Sequence, residues 1–270
     1  MENKELELLT WNTNFCWKKE NRDWKEFTCN LMQENFDFIL LQEINPFFVY
    51  NINYEVKNGP LHFFKKGNKN IYYHELSDVL LKERPHDAFW GTAIITNEQI
   101  TKVKTHFYND KNQYTGSNYF GHEALMCYDF YIENGGIITL MNYYKKSDTC
   151  KAKYNNEGKC INLDEIYCYD NNFFSDIELM ANNKNMTLFT GDFNITKREA
   201  YAYDKGGIIK KIENIGFINK TNNVGRTMDF DNQNDYIFVN SAYSSSIYDV
   251  QKISPPCFFD HYGIKCKIKL

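Results

Sequence analysis

Two long apolar segments joined by a short turn constrain the fold of this chain more than any other feature. Residues 125–132 and 137–144 are rich in aliphatic and aromatic side chains, and Glu133-Asn134-Gly135-Gly136 separates them. The pattern predicts a β-hairpin, because Asn and Gly favour the tight turns that join antiparallel strands. Antiparallel neighbours must therefore be present in the sheet.

Further apolar segments predict both strands and helices. Strands are predicted at residues 6–11, 36–44, 89–96, 186–190, 235–239 and 262–268. Helical spacing extends over residues 163–180, where Asp170-Asn171-Asn172 interrupts it, and over residues 208–215, which Gly216 ends. This mixture predicts layered sheets with outer helices. Because neither an internal repeat nor a Pro/Ser/Gly-rich linker occurs, we expect one domain over residues 1–270.

Composition excludes several classes of protein. Hydrophobic residues make up 43% of the 270 residues and charged residues 24%, which excludes general disorder. A net charge of -4 provides no chain-wide basic surface for nucleic acid, so a polyanion must be met locally. The polar, Lys- and Asn-rich segments 45–85 and 145–162 are predicted to be long loops that shape a cleft.

The sequence shows neither a membrane or secretion segment nor a cysteine-based metal site. No apolar run approaches the roughly 18 residues of a membrane span, and the first seven residues lack the apolar stretch of a secretion signal. We therefore expect a cytoplasmic protein. The eight cysteines form neither a CxxC pair nor a Cys/His cluster at zinc spacing. No obligate protein partner is indicated.

Acidic and amide residues stand at the ends of the predicted strands: Asn12, Asn14, Glu43, Asp192, Asn194, Asp235 and Asp260. Strand ends at one edge of a sheet converge in space, and oxygen ligands gathered there suit a hard divalent cation such as Mg²⁺ or Mn²⁺. A single Asp or Asn at such a place is more often a turn former or a helix cap, but an ordered set is less easily accidental. The set predicts metal-assisted attack on a phosphate.

Six motifs occur in order between residues 6 and 268. They are Leu9-Thr10-Trp11-Asn12-Thr13-Asn14, Ile39-Leu40-Leu41-Gln42-Glu43, Gly91-Thr92-Ala93-Ile94-Ile95, Thr190-Gly191-Asp192-Phe193-Asn194, Asn234-Asp235-Tyr236-Ile237-Phe238 and Phe259-Asp260-His261. In this order they resemble the signature of the endonuclease/exonuclease/phosphatase (deoxyribonuclease I-like) superfamily. The resemblance implies an α/β (α+β) four-layer sandwich: two mixed, mostly antiparallel sheets packed face to face, with outer helices and a metal site at one edge.

The resemblance also implies a role for each site residue. Glu43 is expected to be the principal metal ligand, with Asn14 and Asp260 beside the metal and Asn12 orienting Glu43 or contacting phosphate. Asp192 is expected to orient or deprotonate the attacking water, which Asn194 holds together with a phosphate oxygen. His261, protonated and paired with Asp235, is expected to stabilise the charge that builds on the phosphoryl oxygens.

Residues 139–144 end in Tyr144, where deoxyribonuclease I-like members carry a second catalytic His. This end looks more like the exonuclease III and abasic-site endonuclease branch, in which a Tyr contacts the phosphate. The chain departs from that branch at Lys145-Lys146-Ser147, where an apolar residue, Pro and an amide are usual. We expect Asn142, Lys145 and Lys146 to contact substrate, and the two lysines to supply local positive charge.

The predicted activity is Mg²⁺-dependent (or Mn²⁺-dependent) hydrolysis of a phosphodiester in DNA or RNA by attack of water. A second possibility is a phosphatase or phosphodiesterase acting on phosphoinositides, sphingomyelin or small (cyclic) nucleotides, because one fold hosts many substrates. A third is a catalytically idle binding module that kept the fold. The complete set of five polar residues, Glu43, Asp192, Asn194, Asp235 and His261, argues against the idle module.

Overall fold

A computed structural model of the chain describes residues 4–13, 26–27, 30–31, 34–46, 50, 61–76, 90–97, 100–105, 123–133, 136–145, 171–193, 208–227, 233–254 and 261–270. Within these ranges the strands are β1 (Glu5–Asn12), β2 (Phe38–Ile44), β3 (Leu61–Lys66), β4 (Lys69–Leu76), β5 (Trp90–Thr96), β6 (Ile100–Thr105), β7 (Glu123–Ile132), β8 (Gly136–Lys145), β9 (Met186–Asp192), β10 (Phe217–Asn219), β11 (Asp235–Asn240), β12 (Ile247–Ile253) and β13 (Gly263–Lys269). The helices are α1 (Asn171–Ala181), α2 (Ile208–Asn214) and a 3₁₀ segment (Ser241–Ser246).

The strands form two sheets. Sheet 1 has the order β12-β13-β1-β2-β5-β4-β3, and sheet 2 has the order β10-β11-β9-β8-β7-β6. The pairs β1/β2 and β8/β9 are parallel, and the other pairs are antiparallel. The predicted fold class, two mixed and mostly antiparallel sheets, is confirmed. The predicted hairpin is β7 and β8, in register from Ile132 and Gly136 at the turn to Glu123 and Lys145 at the open end.

Three apolar clusters account for the layers. The central cluster joins the inner faces of the two sheets and includes Leu8 and Leu40 from sheet 1 and Leu140 and Leu188 from sheet 2. A second cluster covers the outer face of sheet 1 and contains Leu31 from a helical segment. A third packs the helices α1 and α2 on the outer face of sheet 2. Burial of both faces explains why β2 begins with four apolar residues in succession, 38–41, instead of an alternating pattern.

The predicted long loop at residues 45–85 is wrong in its middle, which is the β3–β4 hairpin. Gly67 and Asn68 connect the strands, and Gly67 takes the positive φ of +58° that such a turn requires. The frequent Lys and Asn residues conceal a period of two, in which Ile71 and Tyr73 point into the core. Strands β6, β10 and β12 were also not predicted. Residues 146–162, the rest of the second predicted loop, lie outside the described residues.

Both predicted helical patterns end within one residue of the observed helices. The pattern at residues 163–180 corresponds to α1, and its first part lies outside the described residues. The pattern at residues 208–215 corresponds to α2, after which Gly216 takes a φ of +108°. In the part of the chain that the structure describes, no helix is both long enough and apolar enough to cross a membrane.

The buried imidazole of His74 predicts that acid destabilises the fold. Burial, and secondarily the charge of nearby His62, lower the pKa of His74 to about 4 from an ordinary value of 6.5. Between pH 6.5 and about pH 4, His74 is therefore protonated in the unfolded chain but neutral in the folded protein. We expect the free energy of unfolding to fall by about 3 kcal/mol across this window. Urea unfolding at several pH values measures it, and His74→Gln should flatten that part of the profile. An equal slope in the variant would contradict this assignment.

Candidate active site

The predicted site residues lie at one edge of the sandwich because the strand directions bring them there. The parallel strands β1 and β2 end beside each other, as do β8 and β9. The antiparallel strand β11 begins at the same edge, where Asp235 pairs with Asp192, and Tyr144 of β8 flanks Asp192 on its other side. The edge therefore collects polar residues from both sheets.

Asn12 and Asp192 join the two sheets across this edge. The Asn12 side-chain amide donates a hydrogen bond of 2.6 Å from Nδ2 to Oδ2 of Asp192. Both side chains are buried. The bond restricts the rotation of the Asp192 carboxylate. A residue that positions or deprotonates water needs such a fixed orientation.

Asp235 and His261 form a second buried pair. Nδ1 of His261 lies 3.0 Å from Oδ2 of Asp235. Because an ionised carboxylate only accepts hydrogen bonds, the ring donates from Nδ1, and this bond sets both its orientation and its tautomer. The Trp11 indole NH donates to the His261 carbonyl oxygen at 3.2 Å and so anchors the backbone beneath the ring.

Thr227 holds this pair in place, a role that no sequence pattern indicates. Its hydroxyl oxygen accepts hydrogen bonds from the amides of Asn234 (3.0 Å) and Asp235 (3.1 Å). Its carbonyl oxygen accepts a bond of 2.8 Å from the amide of Tyr262. The fully buried Thr227 thus ties the start of β11 to the residue that follows His261.

Glu43 lies at an irregular point of β2. The pairing with β5 passes from Leu41/Ala93 to Ile44/Gly91, so that two residues of β2 oppose one residue of β5 in a β-bulge. Glu43 has a φ of +53°, in the left-handed region that non-glycine residues rarely adopt. Such bulges occur next to active sites, where they redirect a side chain. The residue is buried, with 7% of its surface exposed.

Tyr144 interacts with two carboxylates, those of Glu43 and Asp192. Burial, the charges of Glu43 and Asp192, and a hydrogen bond to Glu43 raise the pKa of Tyr144 well above its ordinary value. The phenol therefore remains protonated, and it donates its hydrogen to the Glu43 side chain. The hydroxyl group of Tyr144 is therefore bound to Glu43 and also lies within the field of the Asp192 carboxylate.

Glycine permits close backbone approach in two of the motifs. Gly191, between Thr190 and Asp192, has a φ of +138°, and a Cβ there would lie 1.8 Å from the Tyr143 carbonyl oxygen. A Cβ on Gly91 would lie 1.9 Å from the carbonyl oxygen of His74. A larger residue in place of Gly191 would push β9, which carries Asp192, away from β8. A larger residue in place of Gly91 would push β5 away from β4.

The prediction that Asn142 contacts substrate is not supported, because the side chain lies fully buried between the sheets. Its amide nitrogen donates to the carbonyl oxygens of Leu41 and Ala93, and its oxygen accepts from Gln42. These bonds use both of its hydrogens and leave no surface for a ligand. Alternation along β8 explains the error, since Asn142 shares a face with Tyr144 but is one step further from the edge.

Four other predicted residues, Asn14, Asn194, Asp260 and Lys146, lie outside the described residues, as does the Lys145 side chain. Their predicted roles remain predictions. Sequence reasoning missed Thr13, whose amide donates to the Gln42 carbonyl oxygen and whose hydroxyl lies 3.0 Å from the carbonyl oxygens of Gln42 and Glu43. Thr13 lies inside the first motif, between Asn12 and Asn14, and this position could have indicated its role.

The donor set at this edge fits a hard divalent cation. In the described part of the chain, one group of three possible ligands has its atoms within 4.8 Å of one another, namely Asp192, Asp235 and His261. Imidazole suits softer metals, and Nδ1 of His261 already donates to Asp235. The carboxylates of Glu43 and Asp192, which both act on Tyr144, supply the oxygen ligands that Mg²⁺ and Mn²⁺ prefer.

The two face-to-face sheets and their polar edge define the deoxyribonuclease I-like α/β sandwich. The chain belongs to the Endonuclease/Exonuclease/phosphatase family, whose sequence model matches residues 9–252. Among curated proteins, none matches the chain at a significant level.

Solved structures share the fold at low sequence identity. The endonuclease domain of TRAS1, a telomere-specific non-LTR retrotransposon, is 14% identical with a TM-score of 0.58, and 99% of each chain is covered. D. rerio TDP2 complexed with single-strand DNA product is 15% identical with a TM-score of 0.59, covering 98% of each chain. A variant of the 3′ phosphatase NExo from Neisseria, bound to product DNA hairpin, is 13% identical with a TM-score of 0.57, covering 98% of this chain and 100% of that one.

Proposed function

We propose that the chain is a single-domain, Mg²⁺- or Mn²⁺-dependent phosphodiesterase that cuts nucleic acid by attack of water on a backbone phosphate. The observation that carries the proposal is the convergence of two buried pairs. Asp192, held by Asn12 at 2.6 Å, is directly opposite Asp235, which holds His261 at 3.0 Å. A base for water and a positive group for the phosphoryl oxygens thus stand side by side.

Asp192 accepts the proton of the attacking water in this mechanism. Its hydrogen bond from Asn12 spans the two sheets, so the carboxylate is oriented before substrate arrives. A positioned general base contributes roughly 10² to 10⁴ to the rate. Asn194, two residues further along, holds the water and a phosphate oxygen in the proposal.

His261 stabilises the negative charge that grows on the phosphoryl oxygens. The Asp235 carboxylate favours the charged form of the ring and directs Nδ1 away from the substrate, which leaves the opposite nitrogen to donate. Thr227 keeps Asp235 and the chain next to His261 in register. Tyr144 stays protonated and donates its one hydroxyl hydrogen to Glu43, so it holds that carboxylate at the same edge.

Glu43 would hold the cation, with Asn14 and Asp260 beside it. A divalent cation bound there would neutralise phosphate charge and polarise the phosphorus centre. The bulge in β2, the bonds from Thr13 and the Tyr144 hydroxyl fix the position of the carboxylate before the cation binds.

A nucleic acid is the proposed substrate class because similar structures were obtained with it. The TDP2 structure holds a single-strand DNA product and the NExo structure a product DNA hairpin. Since the net charge of this chain is -4, phosphate contacts must come from local groups. Lys145, the last residue of β8, directly follows Tyr144, and Lys146 comes next.

Charge reversal at Lys145 and Lys146 tests the substrate. We expect Lys145→Glu/Lys146→Glu to raise KM for DNA or RNA far more than it changes hydrolysis of a small phosphodiester, since Coulomb attraction acts mainly on the long polyanion. The matched control is Lys65→Glu/Lys66→Glu, an adjacent exposed pair at the other end of sheet 1. Equal KM values for wild type and the Lys145/Lys146 variant would remove these residues from the substrate site.

A panel of substrates tests the function itself. Plasmid DNA, single-stranded RNA, cyclic nucleotides and inositol phosphates are each incubated with Mg²⁺ and with excess chelator. We expect nucleic acid to be cut with Mg²⁺ and spared with chelator. Hydrolysis of inositol or small phosphates alone would replace the nuclease by a phosphatase or small-molecule phosphodiesterase, and no hydrolysis at all would leave the idle binding module.

A further inference from the structure

The bulge that carries Glu43 is a strained element that needs support. Two residues of β2, Gln42 and Glu43, oppose Thr92 of β5, and Glu43 has a φ of +53°. Such a backbone conformation in a non-glycine residue costs about 1 to 3 kcal/mol and persists only where its surroundings hold it. The groups that hold this bulge therefore determine where the Glu43 carboxylate lies.

Asn142 supplies that support from the opposite sheet. Its amide nitrogen donates to the carbonyl oxygens of Leu41 (3.1 Å) and Ala93 (2.9 Å), which are the last regular pair before the bulge. Its side-chain oxygen accepts a bond of 2.6 Å from Nε2 of Gln42, the first residue of the bulge. One side chain thus contacts both strands and the bulge itself.

The same strand also holds the Glu43 side chain. Tyr144 lies two residues beyond Asn142 on the same face of β8, and its hydroxyl donates to the Glu43 carboxylate. Strand β8 therefore holds the Glu43 segment in two ways. Asn142 binds the backbone beside the bulge, and Tyr144 binds the Glu43 carboxylate. Asn142 itself, fully buried, is out of reach of substrate or metal.

We propose that Asn142 is a positioning residue: by holding the β2 bulge it fixes the Glu43 carboxylate and thereby sets the affinity of the edge for a divalent cation. The inference rests on the proposed function, because that function places the cation at Glu43. Outer-shell partners that orient a metal ligand typically contribute about 10- to 100-fold to metal affinity. Asn142 acts one step further back, through the backbone.

A purely structural role of Asn142, as a link between the sheets, predicts a different result. Asn240 provides the comparison, because it too is fully buried and makes three hydrogen bonds. It accepts from the Thr187 amide and donates to the carbonyl oxygens of Asn183 and Asn185. Asn240 ends β11, five residues or about 17 Å from Asp235 at the candidate site. Both asparagines support the fold, but only Asn142 supports Glu43.

The test compares Asn142→Ala, Asn142→Ser and Asn240→Ala in the full chain. Mn²⁺ affinity is measured without substrate by electron paramagnetic resonance, at a temperature where circular dichroism shows each variant folded. We expect both alanine variants to lower Tm, but Asn142→Ala alone to weaken Mn²⁺ binding, by about tenfold. Asn142→Ser, which keeps one donor, should fall between. In chelator, hydrogen exchange of the Glu43 and Ile44 amides should quicken in Asn142→Ala and not in Asn240→Ala.

The possible outcomes distinguish a failure of the positioning role of Asn142 from a failure of the proposed function. Wild-type Mn²⁺ affinity in Asn142→Ala, with unchanged exchange at Glu43, would reduce Asn142 to a link between the sheets. The same loss of affinity in Asn240→Ala would attribute the effect to stability and would likewise overturn the inference. If the wild type binds no Mn²⁺, the proposed metal-dependent function fails, and the affinity role of Asn142 fails with it. If Asn142→Ala does not fold, Asn142→Ser against Asn240→Ala decides the same question.

Discussion

Asp192→Asn should lower kcat by roughly 10² to 10⁴ while leaving KM almost unchanged, because an amide cannot accept the proton of water. The fold should survive, since the oxygen of an asparagine still accepts the 2.6 Å hydrogen bond from Asn12 and the residue keeps its place opposite Asp235. Single-turnover cleavage of a labelled oligonucleotide measures the chemical step, and equilibrium binding in Ca²⁺ measures substrate affinity.

Asp129→Asn is the matched control for this substitution. Asp129 is another buried carboxylate of sheet 2, and it accepts a hydrogen bond of 2.5 Å from the Thr139 hydroxyl. Thr139 lies five residues, or about 17 Å, before Tyr144 on β8. The control should turn over at the wild-type rate once folded, even where it is less stable. An Asp192→Asn protein that matches the control would show that another group activates the water.

Glu43→Gln should weaken Mn²⁺ binding by about 100-fold or more. Loss of a residue that only orients a metal ligand typically costs about 10- to 100-fold, and loss of the ligand itself should cost at least as much. Replacing one carboxylate oxygen by an amide removes the anionic ligand that a hard cation requires. The remaining oxygen still accepts from the Tyr144 hydroxyl, so the bulge in β2 should keep its shape. Titration of the metal-free protein with Mn²⁺ under electron paramagnetic resonance gives the affinity directly.

Glu7→Gln provides the control, because Glu7 lies on β1 five residues before Asn12, away from the site. It should bind Mn²⁺ as the wild type does. Hydrolysis by Glu43→Gln should recover in part at high Mg²⁺, as expected when the lost quantity is metal affinity. Full activity of the wild type in excess chelator would refute the metal-dependent mechanism as a whole.

Much of the fold was predictable because buried strands leave a clear apolar pattern. Both faces of β2 and β9 are covered, so residues 38–41 form a continuous apolar run shortly before Glu43, and the apolar pair 188–189 precedes Asp192 in the same way. The β3–β4 hairpin was missed because residues 65–70 are mostly Lys and Asn and directly precede the buried Ile71 and Tyr73. Local composition concealed a period that only tertiary burial makes visible.

The candidate site was predictable in its residues but not in its supports. Strand ends and motif order indicate Asp192, Asp235 and His261, and the structure brings them together. The positive φ of Glu43 and the bonds of Thr227 depend on neighbours that are distant along the chain. Asn142 was assigned to substrate for the same reason: its position in a motif was visible, whereas its partners on β2 and β5 were not.

The position of β13 in sheet 1 has a consequence for how the molecule is made. Strand β13 pairs with β1, with Glu5 opposite Lys269, so β1 does not have this antiparallel neighbour until residues 263–269 have been synthesised. Contacts so distant along the chain are slow to form, and they leave early strands exposed during translation. His261 arrives in the same late segment. A nascent chain that stops before residue 261 therefore contains Asp192 and Asp235 but lacks the imidazole that pairs with Asp235, so the edge of the sandwich and sheet 1 are completed at the same late stage of synthesis.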